Sequence, residues 1–75
     1  MLRVLLFASL RDHAGWSERT LPLGSDPISA AQLWRQLGLG SLEGISIAVN
    51  QELVDADQML KPGDELAFLP PFTGG

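Results

Sequence analysis

The chain has 75 residues, 45% of them apolar, a formal net charge of −4 and no cysteine. Those figures describe one small domain, near the lower size limit for independent folding, with no disulfide, thiolate–metal site or catalytic thiol open to it. An acidic surface without a Lys/Arg cluster argues against nucleic acid as a partner, and no apolar run approaches the ~20 residues that a membrane helix needs.

The N-terminal stretch Met1 to Leu10 is apolar, but it lacks the basic region and small-residue cleavage site of a signal peptide. The expected compartment is therefore the cytoplasm. Within that stretch, Val4-Leu5-Leu6-Phe7-Ala8 predicts a strand over residues 2–8. Arg11-Asp12-His13-Ala14-Gly15 follows and reads as a polar turn. Glu18 to Leu23 partly alternates polar and apolar residues, which suits a second strand that Pro22 either ends or confines to a sheet edge.

The clearest local signal is helical. Ser29-Ala30-Ala31-Gln32 fits a capping box, with Ile28 and Leu33 at the staple positions on either side. Ala30, Leu33, Trp34 and Leu37 then recur on one helical face, and Gly38 marks the end.

Ile45 to Val49 alternates large apolar with small residues and predicts a third strand, with a turn at Asn50-Gln51. Residues 55–60 are irregular. Lys61-Pro62-Gly63-Asp64 carries Pro and Gly at the centre of a type II turn. Glu65 to Leu69 alternates again as the last strand, and Pro70-Pro71, which cannot donate to a ladder, stops it. The expected fold class is α+β, a mixed four- to five-stranded sheet with one main helix on one face. A domain over residues 1–69 should carry an exposed tail over residues 70–75.

One helix covers one face of a sheet. Glu65 and Arg3 mark the open face, so Leu5, Phe7, Ala67 and Leu69 should form an exposed apolar patch next to the tail, while Val4, Leu6 and Ala8 face the helix.

Side-chain chemistry is sparse. His13 is the lone histidine, too few for a multi-histidine metal site, and it belongs to a polar loop rather than a catalytic triad. Asp55-Ala56-Asp57 opens like a calcium loop but has Leu60 where that loop needs glycine. Gly38, Gly40 and Gly44 follow a helix instead of a strand, so they are cap and loop glycines, not a phosphate cradle. By elimination the chain is expected to be acted on by an enzyme, not to be one, and no metal or bound cofactor is expected.

The tail Pro70-Pro71-Phe72-Thr73-Gly74-Gly75 is the reactive element that remains. Two prolines project the chain in an extended form. Phe72 offers an apolar anchor and Thr73 a hydrogen-bonding group. Two glycines can thread a narrow tunnel and leave the last carbonyl open to attack. A terminal carboxyl has a pKa near ~3.5 and is ionised at neutral pH. It must be activated before a nucleophile can reach it, and a mixed anhydride with AMP from ATP is the obvious route.

Phe7-Ala8-Ser9-Leu10-Arg11 with Ala14-Gly15, then Ala48-Val49-Asn50, Pro62-Gly63-Asp64-Glu65-Leu66-Ala67-Phe68 and the Pro-Pro-Phe-Thr-Gly-Gly end resemble the sulfur-carrier small subunit of molybdopterin synthase over essentially the whole chain. The resemblance implies a ubiquitin-like β-grasp fold. It implies that Gly75 is adenylated by a ubiquitin-activating-like enzyme using ATP and converted to a thiocarboxylate by a sulfur donor. It also implies that Phe7, Arg11, Leu69, Pro70, Pro71, Phe72, Thr73 and Gly74 bind the large synthase subunit in a heterotetramer of two small and two large subunits. There, sulfur passes to cyclic pyranopterin monophosphate, with catalytic residues on the large subunit. Two departures stand out. Phe72 occupies a place where relatives commonly carry valine, and the connection from Gly38 to Gly44 is short. A thiamine-type sulfur carrier shares the fold and the Gly-Gly end but generally lacks the Pro-Pro step. A ubiquitin-like protein modifier is the other alternative, and with Lys61 as the single lysine it is a poor builder of lysine-linked chains.

Overall fold

The computed structural model describes residues 1–71; Phe72, Thr73, Gly74 and Gly75 lie outside the described residues. In chain order the elements are β1 (Leu2–Leu6), α1 (Ala8–Ala14), β2 (Glu18–Leu21), α2 (Ala30–Leu37), β3 (Ser46–Val49), β4 (Glu52–Val54) and β5 (Glu65–Leu69). The five strands form one mixed sheet in the order β2-β1-β5-β3-β4. β1 and β5 run parallel, and the other pairings are antiparallel. With α2 across one face, this is the ubiquitin-like β-grasp arrangement that the resemblance implies.

Local chemistry explains most boundaries. The Ser29 hydroxyl accepts from the Gln32 N–H at 3.2 Å and the Gln32 side chain accepts from the Ser29 N–H at 2.8 Å, so the capping box is complete. The next free donors of the helix start, the Ala30 and Ala31 N–H groups, bond the Gln58 and Ala56 carbonyls at 2.9 Å each. The irregular stretch 55–60 is therefore the strap that finishes the helix. Pro22 follows directly on β2, which is an edge strand. Asn50 and Gln51 both take positive φ, 52° and 71°, the pattern of a two-residue hairpin turn between β3 and β4. The Asn50 side chain then receives the Glu65 N–H and donates to Asp64, both at 3.0 Å, which pins the start of β5.

The core lies between the helices and the sheet. Leu2, Val4 and Leu6 of β1, Leu66 and Phe68 of β5, and Ile47 and Val49 of β3 meet Leu10, Ala30, Leu33 and Trp34. Trp34 is the largest buried side chain; its ring tilts onto Phe68 with centroids 4.7 Å apart, and its Nε1–H donates to the Gly40 carbonyl at 2.8 Å.

The sequence reading is wrong at residues 8–14. Ala8–Ala14 forms helix α1 where a strand end and a polar turn were expected, and Ala8 is exposed instead of facing the core. The reason is size. Leu10 is the sole buried residue of α1, so the segment has no repeated apolar face to signal a helix. No helix among the described residues is long and apolar enough to cross a membrane.

Candidate functional site

The open face of the sheet is assembled by register. Leu5 pairs with Glu18 on one side and Ala67 on the other; Ala67 pairs with Ala48, and Ala48 with Leu53. One row thus crosses all five strands as Glu18-Leu5-Ala67-Ala48-Leu53. Leu69 and Ser46 form the next row towards the end of β5. Carried one step past the ladder, the parallel register of β1 and β5 brings Phe7 level with Leu69.

Exposure along these rows is uneven. Leu53 is 77% exposed and Phe7 44%, while Leu5 and Leu69 are half-buried. Ala67 is buried at 9%, which corrects its expected place in an exposed patch. β5 is the central strand, and a methyl group there is overshadowed by Leu5 and Ala48 on either side. The patch is therefore a shallow floor of two alanines between raised aliphatic side chains, rimmed by Phe7 at one end and Leu53 at the other. Sequence reading missed Ala48 and Leu53. β4 has three residues, too few for alternation to show which side faces out.

Charge borders the apolar row. Arg3 bonds Glu18 through Nε at 2.9 Å and through Nη2 at 3.2 Å, and reaches Glu65 from Nη1 at 3.1 Å. This fork ties β2, β1 and β5 together on the open face. The hydrogen bond to Glu18, followed by the charge of Glu18, holds the guanidinium pKa above its ordinary value. The three groups are solvated, so their contribution is to order the border more than to stabilise the fold.

The turn out of β1 aims Phe7. Phe7 is the N-cap of α1 and its carbonyl accepts from the Leu10 N–H at 3.1 Å, but its side chain caps nothing. Ala8 next to it takes φ 51°, a left-handed conformation that strains a residue with a Cβ. A phenylalanine at a capping position is unusual. Both features place the ring outward at a local cost in stability.

The structure does not gather all the predicted partner residues. Arg11 lies exposed on α1, 3.8 Å from Asp12, and lines a depression with Gly15, Trp16 and Ser17 instead of joining the apolar rows. Pro70 and Pro71 follow β5 directly, and a methyl group placed on Gly44 would touch the Pro71 ring. Phe72, Thr73, Gly74 and Gly75 lie outside the described residues. The root of the tail and the apolar rows thus share one end of the sheet.

Comparison with known proteins extends the picture. The profile of the ThiS family matches residues 4–75. The molybdopterin synthase sulfur carrier subunit of Homo sapiens is 37% identical, across 99% of this chain and 93% of its own. The protein of the same name from Escherichia coli is 36% identical across the whole of both chains. Among solved structures, SAMP1 from Haloferax volcanii superposes with a TM-score of 0.80 at 23% identity, covering 99% of this chain and 98% of its own. The complex of subunits 1 and 2 of the molybdopterin-converting factor from Helicobacter pylori includes a chain that matches at TM-score 0.65 and 24% identity, covering 99% of this chain and 97% of its own. A β-grasp domain with an open apolar sheet face at the root of a Pro-Pro step, matched from end to end by these relatives, belongs to the ThiS family, among the sulfur carrier subunits of molybdopterin synthase.

Proposed function

We propose that this chain carries sulfur on the carboxylate of Gly75 and delivers it to cyclic pyranopterin monophosphate as the small subunit of molybdopterin synthase. The observation that carries the reading is the end-to-end similarity to proteins named as its sulfur carrier subunit. In this reading a Gly75 carboxylate oxygen attacks the α-phosphorus of ATP on a ubiquitin-activating-like enzyme, and pyrophosphate leaves. A persulfide donor then attacks the acyl carbon and AMP leaves; a thiol cleaves the S–S bond of the resulting acyl disulfide, which releases a disulfide and leaves the thiocarboxylate. The carrier docks on the large subunit, which supplies the catalytic residues, in a heterotetramer of two small and two large subunits. The complex of subunits 1 and 2 from Helicobacter pylori supports such a pairing. The need for ATP favours the cytoplasm. The chain itself contributes a handle and a docking face and holds no cofactor of its own.

The test is intact-mass analysis after incubation with a ubiquitin-activating-like enzyme, ATP, a persulfide donor and a thiol reductant. The expected result is a single exchange of oxygen for sulfur at the terminus. The charged carrier is then offered a pterin and a thiazole precursor. Sulfur transfer to the thiazole precursor alone would replace this reading with the thiamine-type one.

The open face gives a second expectation. Phe7 is outside the core and 44% exposed, so Phe7→Ala leaves the melting temperature nearly unchanged. A well-seated aromatic anchor contributes about 1–4 kcal/mol to an interface. Titration calorimetry with the large subunit should therefore show at least about a fivefold loss of affinity. Unchanged affinity would move the docking surface elsewhere.

A further inference from the structure

The turn that precedes β3 meets the root of the tail. Leu42 and Ile45 both pack against the core, and the Ile45 N–H bonds the Leu42 carbonyl at 3.0 Å. The Glu43 N–H is taken by the Ser41 hydroxyl at 3.1 Å. Gly44, at the third position of this turn, has φ 78°, which a type II turn requires and glycine tolerates without strain. The turn is therefore anchored on both sides of a residue that has no side chain.

That bare position lies opposite Pro71. The antiparallel register of β3 and β5 pairs Ser46 with Leu69 and Ala48 with Ala67. Two further steps along the same register place Gly44 across from Pro71, on the open-face side. Proline has no N–H, so a ladder bond from Pro71 cannot hold it there. The ring instead stands over the bare position: a methyl group on Gly44 would lie 3.5 Å from Cγ and 3.6 Å from Cβ of Pro71. Those are ordinary van der Waals distances. A methyl would fit in ordinary contact, and atoms beyond it compete with the ring in the rotamers that point towards it.

We infer that Gly44 is a positioning residue for sulfur transfer: its missing side chain is the seat of Pro71, and the seat sets the point and direction from which the tail leaves the sheet. The inference rests on the sulfur-carrier reading for its functional consequence. The structural part stands apart from it. A carboxylate four residues beyond Pro71 must reach an activating centre, and misplacing a reacting group by about 1 Å can lower a rate on the order of a hundredfold. Fixing the root of such an arm reduces the volume that its end must search.

Two substitutions separate strain from displacement. Gly44→Ala strains the left-handed turn but leaves the ring in place. Gly44→Asn keeps the turn, because asparagine enters the left-handed region readily, but its amide competes with the ring. The full-length chains are compared by NMR, thermal melting and the rate of thiocarboxylate formation. A cross peak to the Pro71 ring should come from a Gly44 Hα in the wild type and from the residue 44 methyl in Gly44→Ala, and should be lost in Gly44→Asn. Gly44→Asn should melt closer to the wild type than Gly44→Ala, yet form thiocarboxylate about tenfold more slowly or worse, and more slowly than Gly44→Ala. The inference is overturned if the wild type reacts and Gly44→Asn reacts equally fast, or if Gly44→Asn loses activity only in step with its melting temperature. Absence of the wild-type cross peak also overturns it. If the wild type accepts no sulfur, the sulfur-carrier reading fails, and the cross peaks alone decide whether Gly44 seats Pro71.

Discussion

A chain lacking only Gly75 is expected to melt like the full chain and to accept no measurable sulfur. The two halves of that expectation have separate causes. The core runs from Leu2 to Phe68, so the last residue is remote from it in sequence and the packing of α2 on the sheet is untouched. The chemistry is affected because an extended residue spans about 3.5 Å. Its removal withdraws the carboxylate by that distance from whatever centre activates it. With about 1 Å capable of a hundredfold loss, the rate should fall by well over two orders of magnitude. Gly75→Ala keeps the reach and adds one methyl beside the acyl carbon, so it should be slowed less than the deletion. Intact-mass analysis over a time course measures both. Sulfur uptake by the deleted chain at near the normal rate would show that the reactive group is not the Gly75 carboxylate.

The largest expected effect on stability belongs to Trp34. It is 2% exposed, tilted onto Phe68 and bonded to the Gly40 carbonyl. Trp34→Ala removes that contact area and opens a cavity between helix and sheet, which typically costs about 3–5 kcal/mol. Domains of this kind hold about 5–15 kcal/mol in total, with small ones at the low end. The variant should therefore be partly or wholly unfolded at 37 °C, as read by circular dichroism and urea titration. Trp34→Phe keeps much of the ring and loses the N–H, so it should cost much less, with a single hydrogen bond contributing about 1 kcal/mol. A Trp34→Ala chain that melts within a few degrees of the wild type would mean that α2 contributes little to the core.

The parts of the fold that were legible in the sequence are those set by neighbours in the chain. The capping box at Ser29, the apolar face of α2, the Asn50-Gln51 turn and the stop at Pro70 each rest on residues a few positions apart, and each stands where the local chemistry puts it. The stripe Val4 and Leu6 was also readable, since alternation in β1 is long enough to separate two faces. What escaped was set by pairing across the sheet. The burial of Ala67 depends on Leu5 and Ala48, which lie 62 and 19 positions away from it through pairings that no local pattern announces. Leu53 and Gly44 acquire their places on the open face through the same register. α1 escaped for a different reason, having one buried residue and no periodic face. Of the proposed site, the tail motif was visible at once, and the turn at Gly44 beside Pro71 was not.

The central place of β5 has a consequence for how the protein comes into being. β5 is the last strand among the described residues, yet it stands between β1 and β3 and pairs with both. During synthesis, β1, β2, β3 and β4 can form their local hairpins but have no common sheet until residues 65–69 emerge from the ribosome. Such distant pairings are slow to form and cannot be anticipated by local structure. A prematurely terminated chain would therefore leave two hairpins with exposed strand edges, which are targets for aggregation and proteolysis. The open face comes into existence only in chains that have been translated past β5. Topology thus acts as a check on translation, presenting a folded surface only once the central strand has been made.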